Sequence, residues 1–283
     1  MKATKSCRII IENRKQGLTK TEKRLADYIL ENMSDVLGFT VTELAEKSGT
    51  SDATVVRFCK NIGFKGYQDF KICAAVDTLP PNRHLSPNFN SSDDAAMVCQ
   101  KVFTSEIDVL NETLMMLDIP ALEQTAKAMA QAEKIAFFGS GGSNLVATDA
   151  QHKLLKIGHQ VLVHGDADSQ AMCASILGEK DLAFGISHSG SNRQTVHCLK
   201  LAKENGAFTV GLTTQGKNPL SKAADIVLYT STKETVFRSE SVTARIAQLA
   251  MLDSLIAMIA LCDYDKSYKA IQMTRNATSE GKY

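Results

Sequence analysis

Two short serine and glycine runs, each at the exit of an apolar stretch, constrain this chain more than any other feature. The first is Gly139-Ser140-Gly141-Gly142-Ser143-Asn144, after Ile135-Ala136-Phe137-Phe138. The second is Ser187-His188-Ser189-Gly190-Ser191, after Leu182-Ala183-Phe184-Gly185-Ile186. Helical spacing of apolar residues follows both. A strand, a tight turn of small residues and a helix N-terminus bring free backbone N–H groups and the positive end of the helix dipole to one point. Hydroxyls in the turn add donors. Two such turns on neighbouring parallel strands predict a cup for one anion the size of a phosphate.

The rest of the chain supplies the sheet those turns need. From residue 93 onward the pattern predicts helices at 93–117 and 121–131, then strands near 134–138, 160–164, 181–186, 208–212 and 225–229. Helices at 143–157, 169–177 and 192–205 alternate with them, Pro219 marks a short turn, and a long helix spans 240–262. Strand–helix alternation means a five-stranded parallel sheet with helices on both faces. Ligands of such sheets bind at the carboxyl ends of the strands, where both runs sit.

Before residue 78 the pattern is helical throughout. Thr19 or Thr21 caps a helix reaching Asn32. Thr40 and Glu43 make a capping box, and the helix they start stops at Gly49. Ser51 caps the next helix, which ends near Gly63, and a fourth follows Tyr67. Between head and body, Pro80, Pro81 and Pro87 lie among Asn88, Asn90, Ser91 and Ser92, the composition of a linker. The expected division is therefore 1–77, a linker at 78–92, and 93–283.

Composition narrows the class. The 283 residues are 44% hydrophobic and 22% charged with net charge +1, as in an ordinary globular protein. Residues 1–77 carry thirteen Lys/Arg against ten Asp/Glu, so the head is the basic part. The seven cysteines form no C-x-x-C pair, which excludes the common zinc and disulfide frameworks and suits reduced thiols in a cytosolic protein. No apolar core follows the N-terminal lysines, so no signal peptide is expected. Gln248, Asp253 and Ser254 interrupt the most apolar late stretch, so no membrane span is expected there.

Helices 41–48 and 52–62, joined through Ser48-Gly49-Thr50-Ser51, have the form of a helix-turn-helix. In that arrangement the second helix enters the major groove. Its outward residues would be Ser51, Asp52, Thr54, Arg57 and Lys60. Arg57 would fork onto a guanine or grip a phosphate, Lys60 would hold the backbone, and Asp52 would cap the helix or read cytosine. A small helical bundle with a solvated polar face fits the same pattern. In the body, Gly139-x-Gly141 starts like a dinucleotide fingerprint, but Asn144 stands where a third small residue belongs. No P-loop lysine follows either turn, and no G-x-S-x-G elbow surrounds Ser187 or Ser189.

Leu44-Ala45, then the run from Ser48 to Tyr67 (Ser-Gly-Thr-Ser-Asp-Ala-Thr-Val-Val-Arg-Phe-Cys-Lys-Asn-Ile-Gly-Phe-Lys-Gly-Tyr), resembles the head of RpiR-type bacterial transcription regulators. Residues 134–230 resemble a sugar isomerase (SIS) domain. The segments 138–144 (FGSGGSN), 151–158 (QHKLLKIG) and 186–191 (ISHSGS) stand in that family's order and spacing. The resemblance implies a small all-α helix-turn-helix domain joined to an α/β domain of SIS, flavodoxin-like type.

It further implies a regulator that binds double-stranded operator DNA and responds to a phosphorylated sugar, with no cofactor and no catalysis. The phosphate would rest on the hydroxyls of Ser140, Ser187 and Ser189 and the N–H groups of Gly141 and Gly190. Asn192 holds the place of the family's usual Thr or Ser. His188, Asp166 and Glu240, the last near Arg238 and Ser241, would face the sugar. The long helices 93–117 and 240–262 would pair two copies into a dimer. An SIS-type isomerase or lyase with a helical extension is the alternative, and a glucokinase-regulator-like binder of another protein is a third. The helix-turn-helix favours the regulator, since a catalytic SIS domain needs none.

Overall fold

The computed structural model describes residues 6–78, 90, 92–231 and 242–279. The described residues divide into two compact units, the first of 6–105 with 216–218 and the second of 106–215, 219–231 and 242–279. Glu240 and the three linker prolines lie outside the described residues.

The first unit is helical: α1 (Cys7–Arg14), α2 (Lys20–Glu31), α3 (Met33–Val36), α4 (Val41–Lys47), α5 (Asp52–Asn61) and α6 (Tyr67–Thr78). Its core joins Ile11, Leu25, Ile29, Leu44, Val55, Phe58 and Phe70, all fully buried. Local chemistry fixes the helix starts. Thr19 with Glu22 and Thr40 with Glu43 both form complete capping boxes, and Ser51 Oγ accepts the Thr54 N–H. Each such cap is worth about 1 kcal/mol. The short α3 was not legible as a separate helix, and α1 had no strong start signal.

α7 (Ala95–Met115) passes from the first unit into the second, which continues through α8 (Ile119–Gln131), β1 (Ile135–Phe138), α9 (Gly142–Lys156), β2 (Val161–Val163), α10 (Ala167–Ser175), β3 (Leu182–Ile186), α11 (Arg193–Glu204), β4 (Phe208–Thr214), α12 (Pro219–Ala223), β5 (Ile226–Thr230), α13 (Val242–Cys262) and α14 (Tyr264–Ser279). All strand pairs are parallel, in the order β2-β1-β3-β4-β5. The sequence reading lacked α14, which buries only Ser267 and so has no clear apolar stripe.

The central strands β1 and β3 are buried along their whole length, as expected when helices cover both faces. On one face, Phe137 and Phe184 pack at 5.0 Å between centroids, covered by α8, α9 and α13. On the other, Phe138 packs with Cys173, Cys198 and Leu199 of α10 and α11. By length and hydropathy α13 could cross a membrane, but Met251, Leu252, Leu255 and Ile259 are buried against the sheet.

The strand order reverses at β1. From there the chain steps outward to β2, then returns to place β3 on the other side of β1. That reversal opens a crevice at the carboxyl ends of β1 and β3. The first serine-glycine turn leaves β1 and the second leaves β3.

Candidate functional site

The first turn is built for a close approach. A Cβ on Gly139 would lie 3.0 Å from the carbonyl carbon of Ser143 and 3.2 Å from the amide nitrogen of Asn144. Only glycine lets the β1 exit pack under the start of α9. Gly141 has φ +58°, a conformation side chains resist, and nothing lies within 4 Å of its missing Cβ. It is the N-cap of α9, and no side chain caps that helix. Ser140 and Gly141 are exposed. Ser143 N–H donates to Ser140 O at 3.2 Å and Asn144 N–H to Gly141 O at 3.0 Å, so what the start of α9 offers the crevice is its dipole and the N–H groups of Gly141 and Gly142.

The second turn has most of its polar groups engaged. Gly190, at φ +61°, donates its N–H to Ser187 O at 3.0 Å. The sequence reading aimed that N–H at the anion, but turn closure takes it. Ser189 accepts from Ser191 N through Oγ at 3.4 Å and from Ser191 Oγ through its carbonyl at 3.1 Å. His188 is 9% exposed, and its carbonyl accepts from Thr213 Oγ1 and Thr214 N, each at 3.1 Å. Ser187 is buried and Ser189 exposed.

Asn192, expected in the phosphate turn, and Asp166, expected to face the sugar, are helix caps. Asn192 Oδ1 accepts from Thr195 N at 2.9 Å and Thr195 Oγ1 at 3.1 Å, starting α11. Asp166 Oδ1 accepts from Ser169 N at 2.8 Å, starting α10. Hydrogen bonds from Ser169, backbone first, hold the Asp166 carboxyl below the usual carboxylate range.

Two further side chains at the crevice have no local sequence signal. Gln170, 2% exposed on α10, donates through Nε2 to Gly139 O at 2.8 Å and His164 O at 3.0 Å. It ties the first turn to the exit of β2. Arg245, in the first turns of α13, brings its Cδ and Nε within 3.8 Å of the Cβ position of Gly142. A guanidinium thus stands beside the uncapped start of α9. Among the described residues no group of three or more His, Cys, Asp or Glu could hold a metal ion.

In the first unit, α4 and α5 form the expected helix-turn-helix, and Arg24 of α2 donates to Gly49 O in its turn. The five expected outward residues separate. Ser51 Oγ caps α5 and lies 2.9 Å from Thr54 Oγ1. Asp52 Oδ2 accepts from Thr42 Oγ1 at 2.7 Å, clasping α5 to α4. Thr54 is 9% exposed and not outward: helical phase puts it with Val55, Phe58 and Cys59 on the buried side. Arg57, with its side chain 60% exposed, and Lys60 do project. Beneath them Glu22 of α2, 2% exposed, accepts from Asn61 Nδ2 at 2.7 Å and lies 3.7 Å from Arg57 Nε.

Comparison with known proteins agrees with this anatomy. Residues 6–78 match the helix-turn-helix domain of the rpiR family, and residues 128–258 match the SIS domain. An HTH-type transcriptional regulator of Caldanaerobacter subterraneus subsp. tengcongensis is 37% identical over 96% of this chain and 97% of its own. The HTH-type transcriptional regulator HexR of Pseudomonas aeruginosa is 33% identical over 89% of this chain and 88% of its own. The Vibrio vulnificus NanR protein, solved in complex with ManNAc-6P, superposes with a TM-score of 0.81 at 28% identity, covering 98% of this chain and all of that one. With both domains matched and relatives of the same kind aligned over nearly its whole length, the chain belongs to the rpiR family of HTH transcriptional regulators and carries a SIS domain.

Proposed function

We propose that this regulator binds a phosphorylated sugar in the crevice between the β1 and β3 exits, and that occupancy alters its grip on operator DNA. The observation that carries this reading is the N-terminus of α9, without a side-chain cap and entered through Gly139 and Gly141, on a strand that pairs directly with the one leading into the Ser187–Ser189 turn. Backbone amides at a helix start favour a phosphate dianion. Ser140, Ser187 and Ser189 supply hydroxyls, and Arg245 supplies the counter-charge. NanR, solved with ManNAc-6P, supports the same ligand class. Asn192 and His188 shape the second turn, and Gly190 lets it bend back over the strand.

In the head, α5 enters the major groove with Arg57 and Lys60 forward, while Ser51, Asp52 and Thr54 hold the helix in place. Two copies associate through α7, where Phe103 is 70% exposed and Ile107 and Leu114 follow at helical spacing. Exposed apolar residues so arranged mark an association surface. The functional division is a DNA-binding domain at 1–77, a linker at 78–92 and an effector domain at 93–283, acting in the cytoplasm without turnover.

A thermal-shift screen of phosphorylated sugars against the same sugars without phosphate tests the ligand class, since a ligand of the native state raises its stability. The phosphorylated members should raise the melting temperature and their free sugars should not. Equal shifts from both would contradict the phosphate site. Nuclear magnetic resonance of the best ligand after incubation should return it unchanged; an isomerised product would favour an enzyme.

A further inference from the structure

Glu22 occupies an unusual position for a capping residue. A capping-box glutamate normally sits at an exposed helix start, whereas here α5 packs over α2 and leaves the side chain 2% exposed. Its two oxygens serve different helices. Oε2 accepts from Thr19 N at 3.1 Å and Thr19 Oγ1 at 2.8 Å, closing the α2 cap. Oε1 accepts from Asn61 Nδ2 at 2.7 Å and faces Arg57 Nε at 3.7 Å, both on α5.

The charge itself needs a reason. A glutamine satisfies the same capping box, and burying a carboxylate is costly unless it is paired. Burial pushes the Glu22 carboxyl up, but hydrogen bonds from Thr19 and Asn61 and the charge of Arg57 bring it below its ordinary value. It is therefore ionised at neutral pH. The cation it faces is one of the two exposed basic residues of α5, with its side chain 60% exposed.

We infer that Glu22 is a positioning residue for DNA readout: its carboxylate accepts from the Asn61 amide and attracts the Arg57 guanidinium from the Nε side, 3.7 Å away, so that the two Nη groups of Arg57 are presented forward. Arginine carries large rotamer freedom, and a bidentate contact with a guanine needs its planar fork fixed. Attraction on the Nε side leaves the Nη fork free while narrowing the range of Arg57 rotamers before DNA arrives. The gain appears in operator preference and not in general attraction to phosphates. A buried carboxylate would if anything weaken non-specific binding, since it repels the DNA backbone. This inference rests on the reading of α5 as the recognition helix and Arg57 as a base-facing residue.

The test uses full-length protein and two duplexes, one enriched from a random pool by the wild-type protein and one of random sequence. The quantity read is the ratio of the two affinities at fixed salt. Glu22→Gln, nearly isosteric, should lower the ratio roughly three- to tenfold by restoring side-chain freedom, with random-sequence affinity unchanged or higher. Thr19→Ala removes the other half of the cap and leaves Glu22 against Arg57, so it should lower the melting temperature and keep the ratio. In an Arg57→Ala background, Glu22→Gln should have no further effect on the ratio.

An unchanged ratio in Glu22→Gln overturns the inference, as does an equal loss in the Arg57→Ala background. If Glu22→Gln is too unstable to measure, Glu22→Asp, which keeps the charge but shortens the reach, should still lower the ratio; an unchanged ratio there also overturns it. An Arg57→Ala protein that keeps its operator preference removes the recognition-helix reading together with this one. A loss in Arg57→Ala without one in Glu22→Gln removes this inference alone.

Discussion

The two strand-exit turns look alike in sequence and differ in structure. Each is a Ser/Gly run after a buried strand and before a helix. At the first, α9 begins without a side-chain cap and Ser140 and Gly141 are exposed. At the second, Asn192 caps α11, Gly190 N–H closes on Ser187 O, and Ser189 bonds to Ser191. Both turns close with backbone bonds, the first from Ser143 N–H to Ser140 O and the second from Gly190 N–H to Ser187 O; they differ in that α9 lacks the side-chain cap that Asn192 gives α11. In the proposed site the first turn would offer a helix start and the second its hydroxyls.

Substitutions can break that contrast in order of size. Among single substitutions Gly139→Ala should do the most damage. Its Cβ meets the backbone of Ser143 and Asn144, which cannot swing aside as a side chain would. Overpacking of this kind costs about 1–3 kcal/mol. The α9 amides would shift, and sugar-phosphate affinity should fall about a hundredfold, since hydrogen bonds weaken steeply with misalignment. Isothermal titration measures it. Retained affinity would mean that α9 does not hold the ligand.

Arg245→Gln should have an intermediate effect, confined to binding. Removing a charge-assisted contact to a phosphate should weaken binding by about tenfold. The unliganded melting temperature should stay near that of the wild type, because Arg245 is only partly buried on the first turns of α13. An equal loss for the sugar without phosphate would show that Arg245 does not meet the phosphate.

Asn192→Ala should have the smallest effect on ligand and a visible one on stability. Losing an N-cap costs about 1 kcal/mol, or about 2–4 °C in a domain of this size. Sugar-phosphate affinity should change by less than about threefold if Asn192 works mainly as a cap. A large loss of affinity with an unmoved melting temperature would reverse the roles of the two turns.

The sequence made local features legible and left distant pairings hidden. Thr40 and Glu43 sit three residues apart, so their capping box was readable, as were the strand exits and the helix-turn-helix spacing. The outward face of α5 was only partly readable. Thr54 is polar, and its burial comes from helix phase set by Val55, Phe58 and Cys59. Gln170, Arg245 and Glu22 were not singled out at all. Each is an ordinary polar residue in linear context, and its role depends on a partner brought close by the fold: Gly139 O, the start of α9, and the end of α5. Periodicity carries information about a residue's own helix and none about what packs on it.

The central claim is that one phosphate is held between the two turns and that this site speaks to DNA. Isothermal titration of the best sugar phosphate into wild type and into the Ser187→Ala, Ser189→Ala double variant tests it most directly, followed by operator binding with and without that ligand. Each lost hydroxyl should weaken binding about ten- to a hundredfold, since a hydrogen bond to a charged group is worth about 1.5–3 kcal/mol. The account predicts a variant that binds operator normally, melts near the wild-type temperature without ligand, and no longer responds to the sugar phosphate. Unchanged affinity in the double variant would put the phosphate elsewhere and reduce both turns to structure.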